Sequence, residues 1–173
     1  MRYRPLDWLL GAGCCVLALH VVAAEPAATA LRQQNINLPY EIQADSAYFD
    51  QQSGQGKYVG QVELKRGTEQ VKADWMELEL GSNRQLTRVE AEGSPVFFTD
   101  GVETEGRARH MTYDIKRKMV HLVGDAHVKQ AGREFSGAEI TYFFDDERVQ
   151  AIGGEGTRVK LVLPPSDTGE GDK

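Results

Sequence analysis

The chain has 173 residues, with 20 Lys and Arg against 26 Asp and Glu, a formal charge of −6. That balance excludes a basic nucleic-acid binder held by phosphate contacts, and the length points to one domain. The composition, 40% hydrophobic and 27% charged, is that of a soluble globular chain, and 18 glycines, above the usual ~7%, call for many tight turns.

Residues 1–24 read as a cleaved export signal. Arg2 and Arg4 form a positive start, Leu9 to Val22 carries no Asp, Glu, Lys or Arg, and Val22 and Ala24 are small residues three and one positions before the cut at Glu25. A retained membrane anchor is the rival reading, but Asp7, His20 and the Gly11-Ala12-Gly13 interruption make a poor span. Cleavage removes two arginines and Asp7, leaving a charge of −7, and takes away both cysteines, Cys14 and Cys15. The exported protein then has neither disulfide nor thiolate and must rest on core burial and backbone pairing.

Residues 25–37 form an Ala-, Gln- and Asn-rich N-terminal segment, and 164–173 an acidic flexible tail. Between them lies one domain, 38–163, in which apolar residues alternate with charged ones at the period of a strand. Tyr58 to Lys65, Val71 to Asp74, Val120 to Lys129, Ile140 to Phe144 and Val159 to Leu163 all alternate, with turn signals such as Ser53-Gly54, Arg66-Gly67, Gly81-Ser82-Asn83, Asp100-Gly101, Gly132 and Gly153-Gly154 between them. Residues 69–80 also show helical spacing at Val71, Trp75 and Leu78; as a strand they need a face switch between Trp75 and Met76, which a bulge supplies. A repeat favours the strand. Ile42-Gln-Ala-Asp45, Val71-Lys-Ala-Asp74 and Val102-Glu-Thr-Glu105 recur at spacings of 29 and 31 residues, with Phe135-Ser-Gly as a worn fourth copy. Val59-Gly60, Glu92-Gly93 and Val123-Gly124 each stand just before an apolar strand. Such a period, with two or three short strands per unit, describes a repetitive antiparallel sheet.

The inventory of reactive groups is poor, and the chain reads as no enzyme, with no cofactor and no metal. His121 and His127 fall on the polar side of the alternation without a third ligand at a recognised spacing. Asp45, Asp74 and Glu105 occupy matching repeat positions along an outer face, whereas acid–base pairs need two carboxylates in different environments. Gly101 to Gly106 lacks the lysine of a phosphate loop, and Lys116-Arg117-Lys118 reads as a solvated hairpin tip. The apolar residues, by contrast, are spread thinly over many strands. That layout suits two facing sheets with an apolar seam open at both ends, able to hold acyl chains or to serve simply as a sandwich core.

The successive stretches LPYEIQAD, YVGQVELKRGTEQVKAD, VEAEGSPVFF, VETEGRARHMTYD, VHLVGDAHVKQ and FSGAEITY resemble the OstA-like family of LptA lipopolysaccharide-transport proteins, in order and over nearly all of residues 38–163. The resemblance implies an all-β fold, a twisted β-jellyroll of many short antiparallel strands open at both ends. It implies lipopolysaccharide as cargo, its acyl chains in the groove, and a periplasmic location bridging the inner and outer membranes. Head-to-tail self-association by edge-strand pairing follows, with an LptC-like inner-membrane protein at the N-terminal edge and the N-terminal domain of an LptD-like outer-membrane translocon at the C-terminal edge. Directionality comes from an ATP-driven transporter in the inner membrane. The expected lipid-binding residues are Tyr40, Ile42, Val96, Phe98, Met111, Tyr113, Ile115, Leu122 and Tyr142, joined by Ile36 if the segment before Pro39 is ordered; the expected partner edges carry Tyr40, Ile42, Ala44 and Tyr48 at one end and Val159, Leu161 and Leu163 at the other. The alternatives are a membrane-anchored LptC-like subunit of the same system, which would keep its N-terminal segment, and a β scaffold without lipid cargo.

Overall fold

Residues 38–165 are described by the computed structural model. The signal segment, Ile36 and most of the acidic tail lie outside the described residues. Ten strands follow one another: β1 Glu41–Gln43, β2 Ser46–Asp50, β3 Gln55–Arg66, β4 Glu69–Leu80, β5 Leu86–Thr99, β6 Thr104–Asp114, β7 Met119–Gln130, β8 Arg133–Phe143, β9 Arg148–Ile152 and β10 Lys160–Val162. They form one antiparallel sheet in the order β1-β3-β4-β5-β6-β7-β8-β10, with β2 also on β3 and β9 also on β8. Residues 69–80 are a strand, as the repeat required.

The long central strands, β3 to β8, all change register partway along. The shifts fall between Val59 and Val62, Lys72 and Trp75, Glu92 and Val96, Arg107 and His110, and Val123 and Ala126. Neighbouring bulges at one level bend every strand there, because each adds unpaired residues to one side of a ladder and raises the local twist. In β3 and β7 the bend is a pair of left-handed residues, Gly60-Gln61 and Gly124-Asp125, and glycine takes the first of these conformations without steric cost. Gly60 and Gly124 therefore stand inside strands, within the stretches Tyr58 to Lys65 and Val120 to Lys129 that alternate in the sequence, and Gly93, expected just before a strand, stands inside β5.

The bend folds the sheet into two layers that face each other, a β-jellyroll. One layer holds β1, the Val62–Arg66 arm of β3, the Glu69–Ala73 arm of β4, the Val96–Thr99 arm of β5 and their counterparts as far as β10. The other holds β2, the opposite arms and β9. Val62, Leu64, Phe98, Ala108 and Val128 from the first layer and Met76, Val89, Met111, Leu122 and Ile140 from the second make a single apolar core. The pattern of inward residues slips at the bend: Val71 and Ala73 face inward before it, Met76 and Leu78 after it, which is the face switch the strand reading needed.

The pairing corrects the third copy of the repeat. Val71 pairs with Phe98, and Phe98 pairs with Gly106, so the counterpart of Val71 is Gly106, while Val102 lies in the turn between β5 and β6. The counterparts of Val71-Lys-Ala-Asp74 are Gly106-Arg-Ala-Arg109 and Phe135-Ser-Gly-Ala138, and the expected row of carboxylates does not form. Gly106 escaped recognition because it has no side chain to mark an inward position. The ring of Phe98 crosses it so closely that an added Cβ would fall within the ring.

Gly106→Ala is therefore expected to destabilise the protein by about 2 kcal/mol through overpacking, measured by urea unfolding. The cost should shrink in a Phe98→Leu background; equal costs in both backgrounds would contradict the contact.

Candidate functional site

The nine residues expected to line the seam divide into a floor and a rim. Val96, Met111, Leu122 and Tyr142 are fully buried and Phe98 is 4% exposed. Tyr40, Ile42, Tyr113 and Ile115 are half-buried and pack against the same cluster. All nine face the space between the layers or its margin. In this structure that space is shut. The cavity between the two layers has a volume of about 40 Å³ and is bordered by Val71, Phe98, Met111, Tyr113, Val120 and Phe144, with Glu69, Gln70, Thr99 and Asp100 at its polar side. One water fits such a volume; small-molecule pockets run to roughly 300–1,000 Å³. An acyl chain would fit only with the layers parted, and on the side opposite the bend no described strand joins them.

That side carries a cationic and aromatic rim that sequence reasoning missed. The Arg66 guanidinium donates to both carboxylate oxygens of Glu69 at 2.8–3.1 Å and lies 4.6 Å above the ring of Tyr40. Tyr113 meets Phe144 at 5.8 Å, and Phe144 meets Tyr142 edge-on at 4.8 Å. Tyr142 and Phe144 were legible as an alternating pair. Arg66 was not, because its meeting with Tyr40 depends on β1 lying beside β3 through Ile42 and Leu64. Burial raises the Tyr113 phenol above the ordinary tyrosine value, helped by nearby Tyr40 and Glu69 and opposed by Arg66. Burial also raises Tyr40, with Arg66 opposing it.

The expected partner edges stand at the two ends of the sheet. The exposed large apolar residues are Leu38, Tyr48, Phe49 and Val59 at one end and Ile152, Val159, Leu161, Val162 and Leu163 at the other. Val59 belongs to β3 but pairs with Ser46 of the edge strand β2. Ile42 and Ala44 are half-buried, packed on the core. Among the described residues no group of three His, Cys, Asp or Glu side chains is placed to hold a metal ion. His110 and His121 lie 3.3 and 3.4 Å from Glu92 and Glu139, and His127 is exposed.

The raised Tyr113 predicts an alkaline limit to stability. Its folded form holds a proton that the unfolded chain releases near pH 10, so the contribution is complete below that pH and is lost as pH rises beyond it. Denaturant midpoints should fall above pH 10, and Tyr113→Phe should flatten the fall; an unchanged slope would contradict the assignment.

The family described as "LptA/(LptD N-terminal domain) LPS transport protein" matches residues 41–148. Among curated relatives, the lipopolysaccharide export system protein LptA of Escherichia coli (strain K12) is 30% identical over 156 residues, 87% of this chain and 84% of that one. LptH of Pseudomonas aeruginosa, also named a lipopolysaccharide export system protein, is 27% identical over 75% of this chain and 77% of its own. A crystal structure of LptH, described as the LptA-homologous periplasmic component of the lipopolysaccharide transport device of that organism, superposes with a TM-score of 0.66 at 25% identity, covering 74% of this chain and 96% of that one. These relatives bear the names LptA and LptH, and the LptC-like alternative is not favoured. With the bent two-layer sheet and the matched segment together, the chain belongs to the LptA and LptD N-terminal domain family of lipopolysaccharide transport proteins.

Proposed function

We propose that this protein is a periplasmic carrier, not an enzyme, that takes the acyl chains of lipopolysaccharide between its two layers and stacks end to end into a bridge from the inner to the outer membrane. The observation that carries this reading is a continuous apolar interior in a sheet that leaves both edges unclosed. Each methylene taken out of water is worth about 0.8 kcal/mol, so a lipid with many of them crosses an aqueous space readily only where it is shielded. Parting the layers exposes Phe98, Met111, Leu122 and Tyr142 to the chains, while Tyr40, Ile42, Tyr113 and Ile115 stand at the entrance.

Edge strands are ordinarily guarded by charge, proline or cover. Here the apolar residues left in water gather at the edges, which suits β-augmentation by a second sheet. Such a contact joins unlike edges and does not close on itself, so it yields open chains of protomers. Tyr40, Ile42, Ala44 and Tyr48 would meet an LptC-like protein or the preceding copy, and Val159, Leu161 and Leu163 the following copy or an LptD-like N-terminal domain.

A photoreactive residue in place of Phe98 or Tyr113 is expected to form lipopolysaccharide adducts in cells, dependent on the inner-membrane transporter, whereas one at exposed Lys129 is not. Absence of adducts at both inner positions would leave a β scaffold without cargo. Leu161→Lys is expected to change stability by no more than about 0.5 kcal/mol and to lower the weight-average mass of concentrated solutions in sedimentation. A mass identical to that of the unaltered protein would remove β10 from the stacking contact.

A further inference from the structure

Among the described residues two buried side-chain oxygens have no hydrogen-bond partner, the Tyr40 hydroxyl at the rim and the Thr104 hydroxyl in the apolar interior. Thr104 opens β6 with no exposed surface, and its hydroxyl is buried without a hydrogen-bond partner. Its backbone is fully engaged: the N–H donates to Asp100 Oδ1 at 2.9 Å, and the carbonyl accepts from Asp100 N–H at 3.1 Å and from the Thr99 hydroxyl at 3.0 Å. Only the side chain is unmatched. Beside it on β7, in direct register, stands Gln130, 2% exposed, whose amide donates across the seam to the Tyr142 hydroxyl at 3.1 Å. Thr104, Gln130 and Tyr142 thus form a polar node between two otherwise apolar layers. Valine has the same shape as threonine without the cost of a buried, unpaired hydroxyl, so core packing gives no reason for threonine here.

We infer that the Thr104 hydroxyl, flanked by Gln130 and Tyr142, recognises an oxygen carried on an acyl chain lying in the seam, so that the site selects hydroxylated chains over plain hydrocarbon ones. The inference rests on the reading of the seam as a lipid groove and adds a preference within it. Thr104 is the first residue of its strand, next to the turn at residues 100–103, on the side opposite the bend. A chain entering tail first from that side brings to Thr104 an oxygen near its head, such as a 3-hydroxyl. A site that hydrogen-bonds a hydroxyl leaves its own polar group unpaired when the analogue lacks one, and this is the source of discrimination.

The test is displacement of a fluorescent fatty acid from the whole exported protein by 3-hydroxytetradecanoate and by tetradecanoate, both below their micelle concentrations. The expected result is about fivefold tighter binding of the hydroxylated chain, the scale of one net hydrogen bond. The ratio should fall to about one in Thr104→Val and be kept in Thr104→Ser, with thermal unfolding of Thr104→Val no lower than that of the unaltered protein. Equal binding of both chains by the unaltered protein, or a ratio that survives in Thr104→Val, overturns the preference and leaves the groove standing. Binding of neither chain removes the groove and the preference together.

Discussion

Neighbouring strands can turn a corner together only if each gives up its ladder at the same level, and the row of bulges from Gly60 to Asp125 does this. Without it the sheet would be a flat ribbon with strands of up to fourteen residues and nothing to cover its apolar face. With it, the sheet covers itself. The bend makes an interior without closing a barrel, so it also leaves two edges, and it places the turns of both layers at one side, where Arg66, Glu69, Tyr40 and Tyr113 gather. A packed interior, two free edges and a side opposite the bend where no described strand joins the layers are consequences of one backbone device.

The interior and the edges have different energetics. Inward residues are closely packed, and a cavity of about 40 Å³ between the layers is too small for any chain, so on the proposed reading cargo replaces contacts between the layers with contacts to itself. Dispersion and hydrophobic terms are of like size for protein and lipid methylenes, which lets such an exchange occur without a large net change. At the edges nothing has to be displaced: Tyr48 is 70% exposed and Leu163 63%, and pairing gains both backbone bonds and apolar burial. On the proposed reading, cargo exchange and assembly are in this way separated in space on one sheet.

Much of this was legible in the sequence, for physical reasons. Period-two alternation marks inward residues on either side of a bulge, so Leu122 and Tyr142 could be assigned to the interior from their neighbours, while Val96, Phe98 and Met111 were expected there with the family resemblance. The strands through Gly60 and Gly124 were legible as continuous, whereas the continuity of β5 was not, because Gly93 looks the same in a bulge as before a strand. The third repeat was misplaced because Val102 supplied an apolar residue at the right spacing, while its true counterpart, Gly106, shows nothing but the space Phe98 needs. The short strand β9 between two turn signals gave too little alternation to be recognised. Arg66 and Thr104 could not be found at all: the first depends on a cross-strand return, the second on a hydrogen bond that is not made.

The central claim is that the layers part to admit acyl chains. Within residues 25–173 there is no cysteine, so spin labels can be placed singly at exposed positions, one at Lys129 on the first layer and one at Glu79 on the second. The interlabel distance measured by pulsed electron resonance should lengthen when lipopolysaccharide is added and stay constant with its sugar portion alone. An unchanged distance with lipopolysaccharide bound would show that the cargo lies outside the seam.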